Sequence, residues 1–120
     1  MVALVVDDSA SMRQLVSFTL KQVGHQVIEG ANGQEALEKL EGQNVGLVVT
    51  DINMPVMDGI SLIKAIRGRA ETRFTPILVL TTDPQEAKKR EGQAAGASGW
   101  IVKPFHPRVF LQTVSRILPN

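Results

Sequence analysis

Two aspartates, Asp7 and Asp8, follow an apolar run over residues 2–6, and a third, Asp51, follows one over residues 45–50. Thr81 follows the run 76–80, and Lys103 follows 97–102. If these ends meet, three carboxylates, a hydroxyl and an ammonium share one place. Carboxylates so gathered repel by about 4 kcal/mol per pair at about 4 Å and an effective dielectric near 20. A divalent cation removes that cost. A donor set of oxygens, with no histidine or cysteine, selects a hard ion, Mg²⁺ foremost. Mg²⁺ keeps several waters and bridges carboxylates to phosphate oxygens. Lys103 adds a second positive charge, which suits the charge spread over the equatorial oxygens of a phosphoryl group in transfer. A carboxylate can be the nucleophile, forming an aspartyl phosphate, and Thr81 can hydrogen-bond a phosphoryl oxygen.

The elements between these residues decide whether they meet. Met12, Leu15, Val16, Leu20 and Val23 recur at helical spacing through residues 9–23, and Gly24 suits the helix end. Residues 25–29 read as a second strand, closing on Glu29 and Gly30 at a sheet edge away from the site. Asn32 and Glu35 form a capping-box pattern opening a helix to Leu40. Leu62, Ile63 and Ile66 mark a third helix. Asp83, Pro84 and Glu86 predict a helix starting at Asp83, and Phe110, Val114, Ile117 and Leu118 stripe the last. Short apolar strands alternating with helices imply a parallel sheet covered on both faces. Right-handed crossovers leave few arrangements. The expectation is an α/β, flavodoxin-like (βα)5 doubly wound parallel sheet with strand order 2-1-3-4-5. In such a sheet ligands sit beyond the carboxyl ends of the strands.

A chain of 120 residues, 43% hydrophobic and 21% charged, supports one core, so residues 1–120 are expected to form a single domain. The net charge of +1 marks no binding of nucleic acid or anionic membrane, and aromatic residues at 4% are too few for a base-stacking surface. Cysteine is absent, so there is no disulfide or thiolate metal site. The opening apolar run is too short for a signal peptide and no run reaches membrane-spanning length; the expected compartment is the cytoplasm.

Asp7-Asp8, the stretch from Asp51 through Asn53, Met54, Pro55 and Asp58 to Gly59, Thr81, and Lys103-Pro104-Phe105 together resemble response-regulator receiver domains. The resemblance covers nearly the whole chain, with the pieces in the family's order. Residues 83–105, ending Ala-Gly-Ala-Ser-Gly-Trp-Ile-Val-Lys-Pro-Phe, look most like single-domain chemotaxis regulators of the CheY type. The resemblance implies a phosphoprotein of a two-component system. Asp51 would be the phosphoacceptor, and the domain would catalyse its own phosphorylation and dephosphorylation without being an enzyme acting on a substrate. It implies Mg²⁺ held directly by Asp8, Asp51 and the Asn53 carbonyl, with Asp7 acting through water. Lys103 would pair with the phosphoryl group, Thr81 would be the switch hydroxyl, and Asn53 and Asp83 would tune hydrolysis. A cis Lys103-Pro104 bond is implied as well. Its partners would be a histidine kinase, an output protein such as the flagellar motor switch, and a phosphatase, all meeting a monomer. The switch aromatic is usually Tyr or Phe and is Trp100 here; its bulk leaves two readings open, an inward switch and a partly exposed partner anchor.

Plainer roles exist for each piece. Asp7-Asp8 could cap the following helix, Thr81 could be a polar strand end, Lys103 a solvated loop charge, and Trp100 a packed strand aromatic. The set outweighs them. A phosphatase using an aspartyl phosphate would carry a second carboxylate two residues past the nucleophile, where Asn53 stands. A flavodoxin-like electron carrier would need a phosphate-cradling loop where Asp7-Asp8 stand. A phosphorelay intermediate differs only in its partners.

Overall fold

The alternation expected of a parallel sheet covered on both faces is visible along every central strand. The structure, a computed structural model, describes residues 1–119. Its elements are β1 (Val2–Val6), α1 (Ala10–Gln22), β2 (Gln26–Gly30), α2 (Gly33–Leu40), β3 (Val45–Thr50), α3 (Gly59–Arg67), a 3₁₀ turn (Ala70–Thr72), β4 (Ile77–Thr81), α4 (Glu86–Ala95), β5 (Gly99–Val102) and α5 (Pro107–Ile117). All strand pairs are parallel, in the order β2-β1-β3-β4-β5, as the sequence pattern predicts. Leu4, Val6, Val48 and Val79 face α2 and α3 through Ala36, Leu40, Ile60, Leu62, Ile63 and Ile66. Ala3, Val5, Leu47, Val49, Leu78 and Leu80 face α1 and α5 through Val16, Leu20, Phe110 and Val114. The period of two sends successive side chains into opposite clusters, which is why the strands read as unbroken apolar runs.

Local chemistry sets most helix starts. Ser9 caps α1 by accepting from Met12 N–H at 3.3 Å. Asn32 accepts from Glu35 N–H at 2.9 Å, while the Glu35 carboxylate accepts from Ala31 N–H at 3.2 Å, one residue before the position a capping box usually reaches. Asp58 caps α3 through Ser61 N–H at 2.8 Å. The expected helix start at Asp83 is corrected: α4 begins at Glu86, and Gln85 at its N-cap makes no side-chain cap bond. Asp83 instead accepts from Gln85 N–H at 3.0 Å, a turn that absorbs the side chain before the helix begins. The fifth strand spans Gly99–Val102, shorter than the expected 97–102.

Where β3 leads into α3, Gly59 N–H donates to the Ile52 carbonyl at 2.8 Å. A β-carbon at position 59 would fall 2.1 Å from the Asp51 carbonyl oxygen, a contact with backbone that no rotamer relieves. Gly59→Ala should therefore destabilise the protein by about 3 kcal/mol, the upper range of overpacking, in urea melts. A loss below about 0.5 kcal/mol would show that the loop after Asp51 yields freely.

Candidate functional site

The rim residues are held by backbone rungs that run one residue beyond the strands. Asp7 N–H donates to Gly30 O at 3.1 Å, Asp51 N–H to Val6 O at 3.0 Å, and Lys103 N–H to Thr81 O at 2.7 Å. The backbone of each of these residues is thus anchored to a neighbouring strand. Asp7, Asp51 and Lys103 continue the parity of Val5, Val49 and Ile101, all of which face α1 and α5. The sheet therefore aims them to one side.

There the three expected carboxylates meet: oxygens of Asp7, Asp8 and Asp51 lie within 4.8 Å of one another. Asp7 and Asp51 are buried and Asp8 is exposed, so the cluster opens to solvent through Asp8. Lys103 Nζ reaches across, 2.7 Å from Asp7 Oδ2 and 3.2 Å from Asp51 Oδ2, with only 7% of its side chain exposed. The other oxygens are also used: Asp7 Oδ1 accepts from Ser9 N–H at 2.9 Å, a turn ahead of the helix whose cap is Ser9 itself, so Asp7 does not cap α1, and Asp51 Oδ1 accepts from Ile52 N–H at 2.7 Å. Burial works against the Lys103 charge. The hydrogen bond to Asp7 and the fields of Asp51 and Asp7 outweigh it, and its pKa rises above the ordinary lysine value. One ammonium against three carboxylates leaves the cluster net negative. An oxygen-only donor set of this span can hold a hard cation.

Thr81 ends β4 fully buried, on the face of Val79, and its hydroxyl accepts from Asp83 N–H at 3.2 Å. Asn53 is exposed; its Nδ2 donates to Asp83 Oδ2 at 3.4 Å, which brings the two positions flanking the rim together. Trp100 pairs with Val79 in the ladder, so it shares the Thr81 face one same-face step earlier. Its ring is half-buried against the α2/α3 cluster, under Gly92 of α4. The Lys103-Pro104 peptide is cis, as the resemblance implies. In the exposed loop after Asn53, Val56 adopts φ 69°, a left-handed conformation that costs a β-branched residue about 1–3 kcal/mol.

The chain matches the response regulator receiver domain over residues 3–115. The chain belongs to that family. This receiver is 38% identical to chemotaxis protein CheY1 of Helicobacter pylori (strain ATCC 700392 / 26695) over 117 residues, covering 96% of this chain and 94% of the relative. It superposes on chemotaxis response regulator CheY4 of Vibrio cholerae with a TM-score of 0.92 and 48% identity, covering 98% of each chain. It also superposes on the signal receiver domain of a signal transduction histidine kinase from Syntrophus aciditrophicus with a TM-score of 0.89 and 29% identity, covering 98% of this chain and 89% of that one.

Arg13, which the sequence pattern does not single out, and Glu29, expected at a sheet edge away from the site, both belong to its surroundings. Arg13 Nη1 donates to the Asp7 carbonyl at 2.6 Å, and Arg13 Nε pairs with Glu29 Oε1 at 3.3 Å. Glu29 does lie on the edge strand, yet it reaches the rim through this arginine. A basic residue one helical turn after Ser9 was the available signal, and nothing in the sequence distinguishes it from a solvated helix charge.

Lys103→Met should cost the metal-free protein about 3 kcal/mol in urea melts, because it strands buried carboxylates without their counter-charge. A divalent cation should restore part of the loss. The raised Lys103 pKa means that the pair's contribution is complete below the ordinary lysine range and fades only as pH climbs through the folded value. A loss already complete at neutral pH would contradict this. Gly92→Ala tests the seat of Trp100, since a β-carbon there would fall 2.7 Å from Trp100 Cζ3. Trp100, the only tryptophan, should shift its emission to the red. In a Trp100→Phe background, which lacks the clashing benzo ring, the same change should stabilise by about 1 kcal/mol through helix propensity. An unshifted emission maximum would mean that the indole is not seated against Gly92.

Proposed function

We propose that this receiver accepts a phosphoryl group on Asp51 from a phosphohistidine of a histidine kinase, and that residues 1–120 act as one switch domain. The observation that carries the reading is Lys103 Nζ, bridging the two buried acids, Asp7 and Asp51, of a three-carboxylate cluster that opens to solvent through Asp8. A carboxylate oxygen of Asp51 attacks phosphorus, the P–N bond breaks, and its electron pair returns to the kinase imidazole. The domain supplies positioning and charge, the main needs of phosphoryl transfer. Asp7, Asp8, Asp51 and the Asn53 carbonyl would hold Mg²⁺, which when bound neutralises the cluster and the phosphoryl oxygens. Lys103 shifts its ion pair from Asp51 toward the phosphoryl group. The Thr81 hydroxyl turns from the Asp83 N–H to a phosphoryl oxygen, freeing space and polarity on the Trp100 face. Asn53 and Asp83, already in contact, flank the approach of hydrolytic water and so tune how long the acyl phosphate lasts.

Output follows from protein contact. Phosphorylation changes charge at the rim and biases the Thr81–Trp100 face, and with it the surface of α4, β5 and α5, toward a partner-binding state. The relatives named for chemotaxis support an output of that kind here, with a flagellar motor switch protein as partner, a phosphatase to reset it, and a monomer working in the cytoplasm. No helix among the described residues is long and apolar enough to cross a membrane.

Incubation with acetyl phosphate and Mg²⁺ should add one phosphoryl group by intact mass, and Asp51→Asn should abolish it. Retained phosphorylation in that variant would end the reading. Mg²⁺ at about ten times its dissociation constant should stabilise the wild type by about 1.4 kcal/mol, a rise in Tm of about 4–6 °C. In the absence of metal, Asp51→Asn should melt above the wild type, because it removes one of three like charges. A lower Tm in a folded variant would show that Lys103 already offsets the repulsion.

A further inference from the structure

In a parallel sheet, a residue's N–H and C=O point to the same neighbouring strand. Asp7 donates its N–H to Gly30 of β2 at 3.1 Å, so its carbonyl also faces β2. But β2 ends at Gly30, and the chain leaves for α2. The rung that would satisfy the Asp7 carbonyl is missing. Arg13 supplies the donor, with Nη1 at 2.6 Å, and its Nε is braced at 3.3 Å by Oε1 of Glu29, the penultimate residue of that same strand. Arg13 is largely covered, at 20% exposure, and its backbone N–H donates to Ser9 O at 2.9 Å. The guanidinium therefore ties α1, β1 and β2 together at one point.

That point is the peptide unit linking Asp7 to Asp8. Its plane sets the Cα–Cβ directions of both acids, and so where two of the three clustered carboxylates stand. We propose that Arg13, braced by Glu29, is a positioning residue for the cation site: it fixes the Asp7–Asp8 peptide plane so that both carboxylates converge with Asp51. The inference rests on reading the cluster as a cation site. Because Arg13 and Glu29 carry opposite charges, their joint removal leaves the net charge unchanged while it removes the brace. Groups that orient metal ligands commonly change affinity ten- to a hundredfold when lost.

The test is titration of MgCl₂ into the full chain by calorimetry, for wild type, Arg13→Ala/Glu29→Ala and Arg13→Lys. Positioning predicts about tenfold weaker Mg²⁺ binding in the double variant despite its unchanged net charge. It predicts an intermediate loss in Arg13→Lys, whose single ammonium cannot serve the carbonyl and Glu29 with the arginine's fork. Binding within twofold of wild type in the folded double variant would overturn the inference; should that variant fail to fold, wild-type affinity in Arg13→Lys would do so. A wild type that binds no Mg²⁺ would overturn the cation reading itself and this inference with it, which separates the two failures.

Discussion

Three carboxylates within 4.8 Å of each other, two of them buried, impose the main electrostatic constraint on this fold. They are tolerable because Lys103 reaches two of them and because backbone N–H groups of Ser9 and Ile52 take up the remaining oxygens of Asp7 and Asp51. The compensation is incomplete, and the incompleteness is useful. A fully neutralised cluster would have little affinity for a cation, whereas a net negative one gains from binding it. The site stores its chemistry as unrelieved repulsion, restrained by a sheet stiff enough to hold it.

The stiffness comes from the rungs beyond the strand ends. Asp51 hangs from Val6, Lys103 from Thr81 and Asp7 from Gly30, so the spacing of the acids and the lysine follows from the sheet's own hydrogen bonds. Gly59 contributes from the other side. It lets α3 start against the Asp51 carbonyl, at a distance that excludes a β-carbon.

The opposite face of the same rim is built differently. Thr81 and Trp100 share it, and α4 lies over the indole through Gly92. This helix has no side-chain N-cap, and Gly92 is the only residue on it that is fully buried. Its far end is pinned instead, by two bonds from the Arg67 guanidinium to the Gly96 carbonyl. A helix tied at one end and lightly packed along its length is an element of low local stability. It lies over Trp100, which shares the face of Thr81.

Much of this was legible in the chain. Period-two and period-3.6 apolar patterns determined the order of strands and helices, and the rule that parallel sheets collect ligands at their carboxyl ends identified Asp7, Asp8, Asp51, Thr81 and Lys103 as neighbours. Those are local patterns and topological rules, which sequence records directly. The tertiary structure decided what depends on long-range contact. Asp83 reads as a helix cap, but its carboxylate turns back to Gln85 and Asn53, so α4 starts later. Trp100 leaves two readings open in the sequence, and the fold adds that its ring is half-buried against Gly92. Arg13 and Glu29 are sixteen residues apart and look like ordinary surface charges. Only the early end of β2, which strands the Asp7 carbonyl, makes them partners of the site. Spacing along a chain specifies which face a residue takes, but an unpaired backbone group exists only once two strands of unequal reach lie side by side.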